Sequence, residues 1–122
     1  VPAAENPNDV RLVGPGRRQA LFTGRTATGF SSVVKPYSAD MTVHAKGSTT
    51  AGAGASVVIF YVSDVESPSV DGDWTEAGRS TLTLGTDATS DHFVIKGNYL
   101  NVRAKVDSIS GTGASIDAGV VS

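Results

Sequence analysis

The side chains able to do chemistry are few, and their spacing suits none of the common reactions. The chain has two histidines, His44 and His92, 12 acids and no cysteine. A serine hydrolase needs its nucleophile on a sharp Gly-x-Ser-x-Gly elbow with a histidine to take the proton. None of the serines sits in such an elbow, and neither histidine has a recognisable catalytic neighbourhood. Metal catalysis would want a His-x-x-x-His or paired-carboxylate spacing, which does not occur. Gly14-Pro-Gly16 lacks the rest of a phosphate-cradling fingerprint. Asp71-Gly-Asp73 opens like a calcium loop but offers too few alternating oxygen ligands and no bidentate glutamate at the far end, so an Asp-Gly turn accounts for it. These readings predict a chain that is not an enzyme and holds no cofactor or metal.

The elements point the same way. Ala55-Ser-Val-Val-Ile-Phe-Tyr-Val-Ser-Asp64 is apolar enough to be buried on both faces, with Val58, Phe60 and Val62 on one side and Val57, Ile59 and Tyr61 on the other. It is too short for a typical helix and rich in β-branched residues, so it reads as a central strand, preceded by a turn-rich stretch over 47–54. Asp40–Lys46 alternates, with Met41, Val43 and Ala45 inward; His44 falls on the solvent face with no acid or second histidine two residues away, which predicts an ordinary exposed histidine. Further strands are expected at Arg17–Thr23, Phe30–Lys35, from Trp74, at Ser80–Leu84 and at His92–Lys96, the last stopped by Gly97-Asn98. In Tyr99–Asp107, Leu100, Val102, Ala104 and Val106 should face inward and Tyr99, Asn101, Arg103, Lys105 and Asp107 outward. Gly111-Thr-Gly113 reads as a hairpin tip that folds the last strand onto its predecessor. Seven to nine short strands without helical periodicity predict an all-β chain, an antiparallel sandwich of jelly-roll type.

Composition sets the outer bounds. Leucine is scarce, at 5, against 16 valines and 26 serines and threonines, which favours strands and turns. A chain of 122 residues makes one core. We expect an extended arm over 1–16, which holds three of the five prolines, and a sandwich domain over 17–122. No apolar run reaches the ~18 residues of a membrane span, and the N-terminus lacks the regions of a secretory signal, so a soluble chain without a membrane partner is expected. Residues 1–35 carry +3 and residues 36–122 carry −5, so a basic start could lie on an acidic surface. A pI near 5.5 argues against nucleic acid. Val10, Arg11, Leu12, Arg17 and Arg18 are the candidate partner contacts, because the apolar ones among them would be better buried by a neighbour. Trp74, Tyr99 and Arg103 are candidates for surface recognition, with Tyr61 as a further stacking ring, although Trp74 is first expected to cap a core edge.

The C-terminal half carries a resemblance. Val58-Ile-Phe-Tyr-Val-Ser, Trp74-Thr-Glu-Ala-Gly78, Thr81-Leu-Thr-Leu84, Phe93-Val-Ile95, Tyr99-Leu-Asn-Val-Arg-Ala-Lys-Val106 and Ser108-Ile-Ser-Gly-Thr-Gly-Ala114 resemble small β-sandwich virion proteins of tailed bacteriophages. The resemblance covers roughly residues 55–122. It implies a virion structural protein on the phage head surface: a capsid decoration (cement) protein that binds the major capsid protein as a homo-oligomer, dimer or trimer, and stabilises the shell. The alternative is a tail or fibre module binding a host receptor or carbohydrate. Such proteins act through surfaces, so the resemblance brings no family site residues with it.

Overall fold

The computed structural model describes residues 17–122. Eight strands run β1 (Arg18–Arg25), β2 (Gly29–Phe30), β3 (Met41–Ser48), β4 (Ala51–Ser63), β5 (Thr75–Leu84), β6 (Thr89–Ile95), β7 (Asn101–Thr112) and β8 (Ser115–Val121), with a short 3-10 turn at Asp71–Asp73. They form two four-stranded antiparallel sheets, ordered β1-β8-β3-β6 and β2-β7-β4-β5. Among the described strands, only β4 and β5 are consecutive and paired; every other connection crosses between sheets. That is the jelly-roll arrangement of an all-β sandwich, as the strand count and turn spacing predict.

The core forms because every strand except the two-residue β2 contributes side chains to the gap between the sheets. Met41, Val43 and Ala45 from β3 and Ile116, Ala118 and Val120 from β8 meet Val58, Phe60 and Val62 from β4 and Val102, Ala104 and Val106 from β7. Leu82 and Leu84 close one side, and the Phe93 ring meets Phe60 edge-on at 5.6 Å between centroids. β4 is the strand that the apolar run announces. It starts earlier, at Ala51, so most of the expected turn over 47–54 is strand and only Thr49 and Thr50 make the corner.

Other expectations are corrected. Phe30–Lys35 is not a full strand: β2 ends at Phe30, and only an isolated bridge from Val34 to Val102 continues the pairing. The chain bends between them because Ser31 takes two roles, its N–H donating to Ala104 O at 2.7 Å and its Oγ accepting the Ala104 N–H at 2.9 Å. Gly111-Thr-Gly113 is not a hairpin tip. β7 and β8 lie in different sheets, and the turn is a corner, held to the β3–β4 corner by the Thr50 N–H donating to Thr112 O at 2.9 Å.

Where the corners meet, backbones approach closely. A Cβ on Gly54 would strike the carbonyl oxygen of Ser110 and press on Gly111 Cα, whereas one on Gly85 would meet nothing. Gly54→Ala is therefore expected to cost about 1–3 kcal/mol in urea unfolding, while Gly85→Ala should stay within about 0.5 kcal/mol of the parent.

Candidate functional site

Both sheets turn a polar face outward, and each face gathers side chains from strands far apart in sequence. On the β2-β7-β4-β5 sheet, register puts Arg103 of β7 opposite Tyr61 of β4, and Lys105 opposite both Ile59 and Phe30. The Arg103 guanidinium carbon lies 4.0 Å from the Phe30 ring centroid, 4.5 Å from Trp74 and 6.0 Å from Tyr61. Lys105 Nζ is 5.3 Å from the Phe30 centroid, and Phe30 and Tyr61 contact each other at 6.0 Å. A planar cation among aromatic faces is favourable, the more so when water is excluded. Here the Arg103 side chain is only 18% exposed.

The 3-10 turn brings Trp74 to this place. The Asp73 carboxylate accepts the N–H groups of Ser69 at 2.9 Å and Val70 at 3.2 Å, tying the loop shut just before Trp74. Asp71 reaches Arg103 at 3.8 Å, but its side chain is fully solvated, so the ion pair adds little. Arg103 Nε is buried without an acceptor among the described residues, which sets a desolvation cost against the stacking gain. Ile59 shares this outer face yet is only 4% exposed. Register flanks it with Lys105 and Arg79, whose aliphatic stems can cover an apolar neighbour while their charges stay in water. Arg79 in turn donates to both carboxylate oxygens of Glu76, at 2.7 and 3.1 Å, and that hydrogen bonding holds the Glu76 carboxyl below its ordinary range.

On the β1-β8-β3-β6 sheet the centre is His44. Register sets it directly opposite His92 on β6 and Gly119 on β8. Gly119 has a steric role, since a Cβ there would collide with the His44 ring and with Gln19 O. Arg18 Nη2 lies 2.7 Å from His44 Nε2, and because a guanidinium only donates, Nε2 is the acceptor and the ring is neutral. Burial lowers the His44 pKa and the Arg18 charge lowers it further; Asp117 opposes them and His92 adds to them. The Asp117 carboxylate is engaged, accepting the Gly24 N–H at 2.6 Å. His44 is thus a half-buried, partnered histidine, not the ordinary exposed one its own strand predicts.

The candidate residues divide as follows. Trp74 and Arg103 come together, joined by Tyr61 and by Phe30, which the sequence reading missed; Trp74 stacks on the outer face and does not cap the core. Tyr99 lies elsewhere, in the β6–β7 connection, packed against the core edge. Its neighbours break the expected alternation too: Leu100 is exposed and Asn101 is buried. Asn101 Nδ2 donates to Val65 O at 2.6 Å and Oδ1 accepts from Lys35 Nζ at 3.2 Å, so this side chain pins two loops to the sandwich. Arg17 exchanges backbone hydrogen bonds with Ser122 and stacks over Tyr37 at 5.0 Å. Val10, Arg11 and Leu12, with the whole of the expected arm, lie outside the described residues. Among the described residues, no group of three or more His, Asp or Glu side chains converges as a metal site would need.

No family model matches the chain, and no curated protein matches it by sequence. Among solved structures it is similar to the SPBc2 prophage-derived protein YomS, with a TM-score of 0.56 and 20% identity over 93% of this chain and 98% of that one. That likeness is one of fold, extending over nearly the full length of both.

Two outcomes follow from the faces. Arg103→Ala should cost about 1–2 kcal/mol and shift the emission of Trp74, the single tryptophan, to the red; Arg103→Lys keeps the charge but loses the planar stack, and should fall between. For His44, the folded pKa lies below the ordinary 6.5, so the unfolded chain takes up its proton first as pH falls. Its contribution to stability is full above about 6.5 and is lost as pH drops from there through the folded value. His44→Gln should flatten the part of a stability-pH profile that falls as pH drops below about 6.5.

Proposed function

We propose that the chain is a structural protein of a phage virion, a decoration (cement) protein that binds the outside of the head shell and bridges subunits of the major capsid protein. The observation that carries this reading is the end-to-end likeness of fold to a prophage-derived protein, which adds a phage source to the phage-type motifs of residues 55–122. The surfaces support it. Arg103 fills its own aromatic cluster, and His44 accepts a hydrogen bond from Arg18. Groups held so firmly by each other suit binding by preformed contact, with little ordering cost on association.

Cementing then works by mass action. A ligand that binds the assembled shell and not its dissociated subunits stabilises it by RT ln(1 + [L]/Kd), about 2.7 kcal/mol per site at a hundredfold excess over Kd. A dimer or trimer seated on several subunits gains further from effective concentration. In this reading Arg11, Arg17 and Arg18 present positive charge to the shell and no reaction is catalysed. The aromatic cluster of Phe30, Tyr61 and Trp74 favours a second reading, a tail or fibre module that stacks on a sugar. Arg103 weakens that reading, because a glycan would have to displace the guanidinium.

Co-sedimentation with shells of the major capsid protein from the same phage tests the proposal. The chain should pellet with shells, saturate at a fixed ratio and raise the temperature at which they come apart. A chain lacking residues 1–16, shown folded by circular dichroism, should bind more weakly. A chain that stays in the supernatant, or that binds isolated tails instead, would overturn the decoration reading.

A further inference from the structure

One end of the sandwich carries a pocket that shell binding leaves unused. The β2–β3, β4–β5 and β6–β7 connections meet there around about 370 Å³ of space, walled by Lys35, Tyr37, Glu66, Asn98, Tyr99 and Leu100. We infer that this pocket binds a neutral saccharide, one or two pyranose rings in size.

The three loops are tied so that the pocket keeps its shape. Buried Asn101 donates to Val65 O at 2.6 Å, and Lys35 Nζ donates both to Asn101 Oδ1 at 3.2 Å and to Glu66 O at 3.3 Å, which joins the β2–β3 loop to the β4–β5 loop. Asp40 and Gly97 join the β2–β3 loop to the β6–β7 loop twice over: the Asp40 N–H donates to Gly97 O at 3.2 Å, and the Asp40 carboxylate accepts the Gly97 N–H at 3.1 Å. Asp40 is held at φ 51°, the only non-glycine residue of positive φ among the described residues. Such a conformation persists where the surroundings impose it, and it gathers at ligand sites. The Tyr99 ring rests on Gly97, where a Cβ would strike it. A pocket fixed in this way needs little ordering when it binds.

The lining selects the ligand. Tyr37 is 57% exposed and Leu100 43%, with the Arg17 guanidinium over one face of the Tyr37 ring at 5.0 Å. Apolar surface left open at a concave site favours a ligand with an apolar face of its own. Among these walls stand the Glu66 carboxylate, the Asn98 amide, the Ser38 hydroxyl and the one ammonium N–H that Lys35 has left, a mixture of acceptors and donors. A pyranose ring matches both parts, laying its C–H face on the side chains and offering hydroxyls that donate and accept.

An ionic ligand fits less well. Lys35 and Glu66 bring opposite charges to one lining, so a ligand of either sign meets one of them as a like charge. The volume lies toward the lower end of the ~300–1,000 Å³ of ligand pockets, which sets the size. The Trp74 cluster also offers rings, but Arg103 already fills it.

An array of hexose, hexosamine and deoxyhexose glycosides, screened with the full chain and followed by amide-shift titration of the best-bound glycoside, tests the site. No shell is present, so failure here is distinct from failure of the virion reading. Binding should saturate and move the Ser38, Asn98, Tyr99 and Leu100 resonances, leaving those of His44 and Trp74 in place. Tyr37→Ala and Glu66→Gln, both at exposed positions and each checked for folding by circular dichroism, should raise the Kd about tenfold, the loss of one good contact. No glycoside retained on the array would overturn the inference. So would shifts centred on Trp74 and Tyr61, a Kd unchanged in both variants, or tighter binding of the charged probes citrate or phosphocholine at the same resonances.

Discussion

The central placement of β4, paired on both edges and buried along its inner face, is the constraint on which the rest of the structure depends. This strand pairs with β7 on one side and β5 on the other, so nearly all its backbone groups are satisfied within one sheet. Val58, Phe60 and Val62 fill the gap between the sheets, and Phe60 is fully buried there against Phe93 of the opposite sheet. Val57, Ile59 and Tyr61 point the other way, and Ile59 is buried on that face between its register partners Lys105 and Arg79, whose aliphatic stems can cover it.

The outer aromatic cluster follows from the same register. Arg103 and Tyr61 are register partners, and β2 brings Phe30 up beside Lys105. Trp74 arrives from a loop that Asp73 closes with its own carboxylate, which accepts the Ser69 and Val70 N–H groups. The guanidinium is thereby surrounded by rings. Basic side chains on a sheet ordinarily extend into water; this one packs among rings and is only 18% exposed.

The opposite face is organised by a missing side chain. Gly119 leaves a slot in β8 over which the His44 ring lies. The ring then meets Arg18 from the edge strand and faces His92 from the other side. The two faces therefore differ in kind. One is held by a permanently charged group among aromatics, the other by a neutral histidine whose state follows pH.

Much of this architecture is written locally. Side chains alternate across a strand with a period of two whatever lies next to it, so the inward sets of β3, β4 and β5 and the Val102-Ala104-Val106 stripe of β7 are legible from the chain alone. So is the sandwich class, from many short strands without helical period. What depends on which strands become neighbours is not legible. Gly111-Thr-Gly113 has the residues of a hairpin, but β8 pairs with β3 and β1, so the turn becomes a corner between sheets. Asn101 alternates outward on paper and is buried, because the loop at Val65 offers it a carbonyl. His44 shows no partner within its own strand, because Arg18, His92 and Asp117 come from three others. The sequence by itself determined which side chains face the core within the long regular strands, since that periodicity is local; only the tertiary structure decided the strand ends such as Leu100 and Asn101 and what the outward side chains touch, since those contacts join residues tens of positions apart.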